Sequence, residues 1–588
     1  MPVALSYSDT TSEHSHTGRG SSRKQSTLQT FFCLLVSRCM TLVLLFALLY
    51  ATIYAVNPSA ALPPVCSITN EDFTQFCCSG GQGLSVLFLY MCSVLLGLLF
   101  NKLFRLPGLM GMLLAGILIR LTEELLSKDF QLIKGPCANV SGDNFPTVQF
   151  VKLLQLDPIV SMILRYLSLA VILARAGLNL NVQVLKKSWL TIGRIALFPS
   201  LAEALIVMVV STLLIKWPWS WGAILGFVLS SVSPAVVVPE MLKVKDTGYG
   251  YDKGIPTIVL AAASLDNVID IIGFGISFNV AFSPSSIDEV LNNNSVSNTT
   301  NNGDIIGKSI GLGIAYVLLG IVIGVAVGFI FWLVPQALPK RLQKLDQMLR
   351  ILLATLVPIC LILITEILHL PGTGSMGTIS FCLMLLLGWQ SYNWPWKLYK
   401  KWIPETKLST NCSYCHKKKS ITGCNYRSTT VAHKGNQAIS RLNDVFSALW
   451  WFLEPILFVI VGTKVNVLAF GQMELGLPVV ALLVGIVFRF GVSVICTWPS
   501  ALNWKERTFL AVSWIPKATI QAAIGANALD KATELGIEQL ITWGELILTL
   551  AVLSILITAP VGAVLIARLA KYLLKKRVPD LELTRISS

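Results

Sequence analysis

Charge is what this sequence lacks most. Of 588 residues only 13 % are Asp, Glu, Lys or Arg, about half the share usual in soluble domains. Apolar types make up 54 %, and the mean hydropathy is +0.68. A water-soluble fold has nowhere to bury that much apolar side chain. The same composition excludes disordered, collagen-like and small disulfide-scaffold chains. Histidine is scarce, with 5 residues, and no Ser/His/Asp constellation stands out, which argues against an embedded enzyme. No Walker motif is present, so ATP-driven transport has no support. What remains is an all-α polytopic membrane protein.

A transmembrane helix needs about 20 mostly apolar residues. About fourteen stretches qualify: 31–56, 85–103, 107–121, 158–178, 189–215, 220–241, 255–282, 306–334, 348–368, 374–390, 444–464, 478–499, 507–529 and 544–571. Their arrangement divides the chain into a disordered N-terminus at 1–30, an extra helix at 31–56, and a first bundle at 85–390 with core helices 189–282. A basic loop follows at 391–443, then a second bundle at 444–571 with core helices 478–571, and a tail at 572–588.

Lysine and arginine alternate across these spans. Residues 57–84 and 283–305 contain neither, whereas the loops on the other side hold Lys186 and Lys187, Lys340 and Arg341, Lys417 to Lys419, and Lys575 to Arg577. The positive-inside rule then places both termini in the cytoplasm. The net charge of +15 reflects this bias, not nucleic-acid binding. Sequons at Asn139, Asn293 and Asn298 fall in the loops assigned outside and are candidate glycosylation sites, whereas Asn411 falls inside. Cys66, Cys77, Cys78 and Cys137 also lie outside, where oxidation is permitted, and their pairing is not legible. Cys412, Cys415, His416, Cys424 and His433 crowd the inner loop and read as a solvated basic linker, with zinc the alternative. Gly372, Gly374 and Gly377 fit a dinucleotide string, but no strand precedes them, so no cofactor is expected.

Ionisable residues at membrane depth are costly and usually functional. Glu203, Asp266, Asp270, Arg489 and Lys517 sit within spans, and Glu454, followed by Pro455, is a sixth. Prolines interrupt two spans, at Ser233-Pro234 and Pro516-Lys517-Ala518-Thr519. These spans lie seven helices apart and run in opposite directions. Two inverted repeats whose broken helices cross at the midplane are the pattern of a secondary transporter.

The strings Met112-Leu-Leu-Ala-Gly-Ile-Leu-Ile-Arg120, Ala174-Arg-Ala-Gly-Leu178, Ser233-Pro-Ala-Val-Val-Val-Pro239, Gly248-Tyr-Gly250, Gly254-Ile-Pro-Thr257 and Ile515-Pro-Lys-Ala-Thr519 resemble animal NHA-type sodium/proton antiporters. These form subfamily B of solute carrier family 9, in the cation/proton antiporter superfamily. The resemblance covers about residues 107–570 and includes the extra first helix. It implies an NhaA-like fold of inverted repeats with two crossing broken helices, a homodimer, and elevator-like exchange of sodium or lithium for protons. With no targeting string legible, the plasma membrane is the expected location. The resemblance also implies that Glu203, Arg489 and Lys517 form a core ion-pair network, and that Arg489 pairs with Asp266, the first acid of the family's Asp-Asp motif. The second acid, which should carry cation and proton, is here Asn267.

Asparagine does not titrate. Asp270, one turn further along the same helix face, is the acid that could take over, alone or shared with Asp266, with the Asn267 oxygen as a further cation ligand. The alternatives are a proton-coupled chloride transporter, in which Arg489 and Lys517 attract the anion, and a non-transporting paralogue with a static ion-pair core.

Overall fold

The computed structural model describes residues 65–68, 75–79, 82–104, 106–130, 137–139, 153–178, 182–250, 253–284, 286–287, 302–333, 343–368, 370, 372–390, 423–465, 476–498, 500 and 502–576. The expected first helix at 31–56, the sequons at Asn293 and Asn298, and Cys412, Cys415 and His416 lie outside them. So do the side chains of Asn139, Cys424 and His433.

The described residues are almost wholly helical. Helices α1 (Gln82–Leu99), α2 (Gly108–Phe130) and α3 (Pro158–Leu178) are followed by α4 (Val182–Val210), α5 (Trp219–Ser230), α6 (Pro234–Asp246) and α7 (Ile255–Ala281). Then come α8 (Asn302–Leu333), α9 (Gln343–Ile367), α10 (Thr373–Gln390) and α11 (Gly423–Thr463). The last group is α12 (Gly476–Cys496), α13 (Trp504–Val512), α14 (Thr519–Ile524), α15 (Asn527–Leu535) and α16 (Glu538–Leu573). Among the described residues, 9 helices are long and apolar enough to cross a membrane, and two more apolar helices are shorter. With α2 and the interrupted α13–α15 stretch they account for every span expected between 85 and 571. Helix α11 runs unbroken from Gly423, so the expected boundary between loop and second bundle at 443 falls inside a helix.

One feature was not anticipated. Three short strands, β1 (Val65–Ile68), β2 (Gln75–Ser79) and β3 (Cys137–Asn139), form an antiparallel sheet in the order β1-β2-β3. It joins the segment before α1 to the segment after α2.

Apolar side chains cover the outside as well as the inside. Leu213, Val487 and Ile495 are 71 %, 67 % and 67 % exposed, which no aqueous surface would tolerate in such number but a bilayer-spanning surface requires. Trp498 and Trp504 stand exposed with Arg507 stacked on them at 5.1 and 5.9 Å. This is the amphipathic arrangement favoured at a membrane–water boundary.

Helices in a membrane gain little from hydrophobic transfer and associate through close packing. The α2–α11 crossing depends on it: a Cβ on Gly116 would sit 2.2 Å from the Val459 oxygen, and one on Gly462 2.4 Å from the Leu113 oxygen. The turn from α6 to α7 explains another of the strings noted above. Gly248, Gly250 and Gly254 have φ of 80°, 65° and 63°, a region that residues with a Cβ rarely adopt. Lys253 in this turn pairs with Glu506 of α13 at 2.7 Å, tying the two repeats together at one end. Gly462→Val should cost about 1–3 kcal/mol through overpacking, read as a lower midpoint in thermal unfolding of the purified protein. An unchanged midpoint would show that the crossing is not close-packed.

Candidate ion-binding site

Both broken helices are interrupted where the sequence places their prolines. Helix α5 ends at Ser230 and α6 begins with Pro234 at its first turn, leaving Ser231, Val232 and Ser233 non-helical. Helix α13 ends at Val512 and α14 begins at Thr519. The two breaks touch. The Ser233 N–H donates to the Pro516 oxygen at 2.9 Å, and the Gln521 side-chain amide donates to the Ser231 oxygen. Helix α4 approaches α5 closely enough that a Cβ on Gly226 would lie 2.3 Å from the Ala204 oxygen. That approach brings Glu203 to the crossing.

A helix end exposes carbonyls that lack intrahelical partners and carries partial negative charge. At the end of α5 these carbonyls meet cations. Arg489, from α12, donates to the Ser230 oxygen, and Lys517, from the second break, donates to the Leu229 oxygen. The same cations hold two acids. Arg489 lies 2.9 Å from Glu203 and 2.7 Å from Asp266, and Lys517 lies 2.8 Å from Glu203. The other oxygen of Asp266 accepts the Val232 N–H at 3.1 Å. Each of the four side chains is at most 2 % exposed. Such burial is tolerable because the two acids and two bases neutralise one another and share hydrogen bonds.

Asp270 differs. It is fully buried on α7, and no cation pairs with it among the described residues. Its Oδ1 accepts hydrogen bonds from Ser200 of α4 and from Ser230, the latter at 2.5 Å. Its Oδ2 has no partner there. Asn267, one turn earlier, accepts from the Ser231 hydroxyl at 2.6 Å, and its amide nitrogen is unpartnered. Among the described residues the hydroxyls of Ser233 and Thr519 are also buried without partners. Among these residues the crossing therefore holds unpartnered polar atoms and a carboxylate, Asp270, that has no cation within ion-pair distance.

All ten residues expected at the ion site, the core network and the crossing meet here: Glu203, Ser233, Pro234, Asp266, Asn267, Asp270, Arg489, Pro516, Lys517 and Thr519. Glu454 is not part of this cluster; its electrostatic partner is Arg175 of α3. Sequence reading missed Ser200, Ser230 and Ser231 as donors. Ser200 sits three residues before Glu203 on one helix face, the one signal that could have marked it. A second, partly buried cluster was also missed. Asp530 of α15 is gripped by Arg165 of α3 and by Lys464, just beyond α11. The Arg165 guanidinium also donates to Asn527 at 3.3 Å.

The family model described as sodium/hydrogen exchanger, transmembrane, matches residues 89–376 and 426–572. The chain belongs to the sodium/hydrogen exchanger family. Membership makes it a secondary transporter and not an enzyme. Among curated relatives, sodium/hydrogen exchanger 9B2 of Bison bison bison is 32 % identical, covering 92 % of this chain and 82 % of that one. The Homo sapiens proteins named sodium/hydrogen exchanger 9B2 and 9B1 are 30 % and 28 % identical, over 92 % and 84 % of this chain and 81 % and 79 % of theirs. The solved structure of the sodium proton antiporter MjNhaP1 from Methanocaldococcus jannaschii has the same fold, with a TM-score of 0.53 at 15 % identity over 83 % of this chain and 98 % of that one.

The bookkeeping of charge in this exchanger makes a prediction about stability. Arg489→Gln leaves two buried acids with one cation and should cost about 3–5 kcal/mol. Asp270→Asn breaks no ion pair and keeps an oxygen for Ser200 and Ser230, so its unfolding midpoint should stay near that of the unsubstituted protein. Equal losses in thermal unfolding would mean that Asp270 belongs to the static network.

Proposed function

We propose that this exchanger trades sodium, or lithium, for protons, and that Asp270 is the group that carries either one. The observation that carries the reading is the unbalanced carboxylate. Glu203 and Asp266 each hold a cationic side chain, and Asp270 holds none. An ionised Asp270 at full burial leaves the site with one net negative charge, which is costly in a low-dielectric interior. A proton on Oδ2 removes that charge. So does a monovalent cation, for which Asp270, Asn267 and the hydroxyls of Ser200, Ser230, Ser233 and Thr519 offer oxygen of the hard type such ions prefer.

Occupancy by one or the other, but not by neither, is the condition for moving the site across the membrane. It yields exchange in place of leak. With the remaining four charges self-neutralised, the cycle is one ion for one proton and is electroneutral. Chloride is disfavoured, because Arg489 and Lys517 are already taken up by carboxylates and by the carbonyls that end α5.

Helices α4–α7 and α12–α16 form the moving core, and the other helices form the scaffold. In this conformation Asp530 on the core is clasped by Arg165 and Lys464 of the scaffold, a contact that must open when the core shifts. The protein works as a homodimer in the plasma membrane with both termini cytoplasmic, glycosylated at Asn139, Asn293 and Asn298. The absence of Lys and Arg from residues 57–84 and 283–305 supports that orientation.

Liposomes holding the purified protein, with chloride replaced by an impermeant anion, test the assignment. A sodium gradient should drive opposing proton flux, and clamping the membrane potential should not alter its rate. Asp270→Asn should reduce the flux to that of empty liposomes. Full flux in that variant would refute Asp270 as the carrier, and flux that needs chloride would refute cation exchange.

A further inference from the structure

The three-stranded sheet settles a question that cysteine spacing leaves open. Four cysteines allow three pairings. In the ladder between β1 and β2, Cys66 stands opposite Cys78. In the ladder between β2 and β3, Cys77 stands opposite Cys137. All four cysteines therefore occupy directly opposed positions of neighbouring strands.

Opposed residues of an antiparallel pair have Cα atoms about 4.5 or 5.5 Å apart, according to whether they exchange hydrogen bonds. Both separations lie within the range of about 4.4–6.8 Å that a disulfide spans. Successive residues of a strand belong to opposite faces. Cys66 and Cys78 thus share one face, and Cys77 and Cys137 share the other.

The competing pairings fail on the same geometry. Strands β1 and β3 flank β2, so Cys66 and Cys137 are separated by two strand spacings of about 4.8 Å each, beyond the reach of about 7 Å. A bond from Cys66 to Cys77, or from Cys78 to Cys137, would have to join opposite faces. We propose that the chain carries two disulfides, Cys66–Cys78 and Cys77–Cys137, on the two faces of this sheet.

Each bond forms by thiol–disulfide exchange with a protein or low-molecular-weight disulfide of the secretory compartment. One cysteine thiolate attacks the donor disulfide and a mixed disulfide results. The opposed cysteine then displaces the donor. Two electrons and two protons leave with the donor, which departs as a dithiol if it is a protein disulfide and as two thiols if it is a low-molecular-weight one. The first bridge closes the β1–β2 hairpin. The second clips the segment entering α1 to the segment leaving α2, which lie at the same end of this antiparallel helix pair. The proposal requires that end to face outward, as in the orientation proposed above, and is independent of the transport reading.

Intact cells expressing the full chain, labelled with a membrane-impermeant maleimide–polyethylene glycol, provide the test. The unsubstituted protein should gain four labels only after reduction. The matched variants C66S/C78S and C77S/C137S should remain unlabelled without reductant, whereas the crossed variants C66S/C77S and C78S/C137S should each gain two labels. Labelling of the unsubstituted protein without reductant would overturn the bonds. Protected crossed variants together with labelled matched ones would overturn the pairing. No labelling even after reduction would overturn the outward orientation, and the oxidation with it, while leaving the transport assignment standing.

The unsubstituted protein also answers without any substitution that might disturb folding. Cleaved before Asp72 and after Lys134 without reduction, it should yield the Cys66, Cys77–Cys78 and Cys137 peptides as one linked species. Fragmentation between Cys77 and Cys78 should leave the Cys66 peptide on the Cys78 side. Attachment to Cys77, or a separate Cys66–Cys137 pair, would refute the proposal.

Discussion

Two buried cations placed at the end of a half-helix organise this molecule. Arg489 and Lys517 cannot be buried alone, and the carbonyls of Leu229 and Ser230 cannot be left without donors. Each need answers the other. Once the cations are seated on those carbonyls, Glu203 and Asp266 follow, because only carboxylates at this depth neutralise the remaining charge. The broken helices, which would otherwise expose unsatisfied backbone in the bilayer, are held open by the side chains that need them.

The proposed reading gives the two acids different tasks. Asp266 is committed to Arg489 and to the Val232 backbone, which suits a structural role. Asp270 receives only hydroxyl donors, which can rotate to favour a carboxylate, a carboxylic acid or a bound cation. Asn267 between them adds a neutral oxygen without adding charge. In the proposed assignment Asp270 stands in, one helical turn away, for the acid that the resemblance expects at Asn267.

The Asp530 cluster shows the same physics used for a different purpose. Here one partly exposed carboxylate is shared by two cations from separate helices. A pair that is partly hydrated breaks at lower cost than one sealed in the interior. In the proposed cycle the sealed cluster at the crossing stays closed and the partly hydrated Asp530 contact is the one that opens.

The sequence by itself determined the membrane class, the spans between 85 and 571, the two breaks and the identity of the charged residues. Each is a local property: apolar length, proline chemistry, or charge where hydropathy forbids it. Inverted repeats were legible as well, since an odd offset between two broken spans dictates opposite directions. Residue pattern alone could not say which acid each cation takes; only the family resemblance paired Arg489 with Asp266. Asp266 and Asp270 lie one turn apart on one helix, and periodicity treats them alike. Only the approach of α12 and of the second break to α4, α5 and α7 gives Asp266 to Arg489 and leaves Asp270 free. The pairing proposed for Cys66, Cys77, Cys78 and Cys137 was beyond sequence for the same reason. Ladder register is a relation between segments separated along the chain, and spacing carries no record of it.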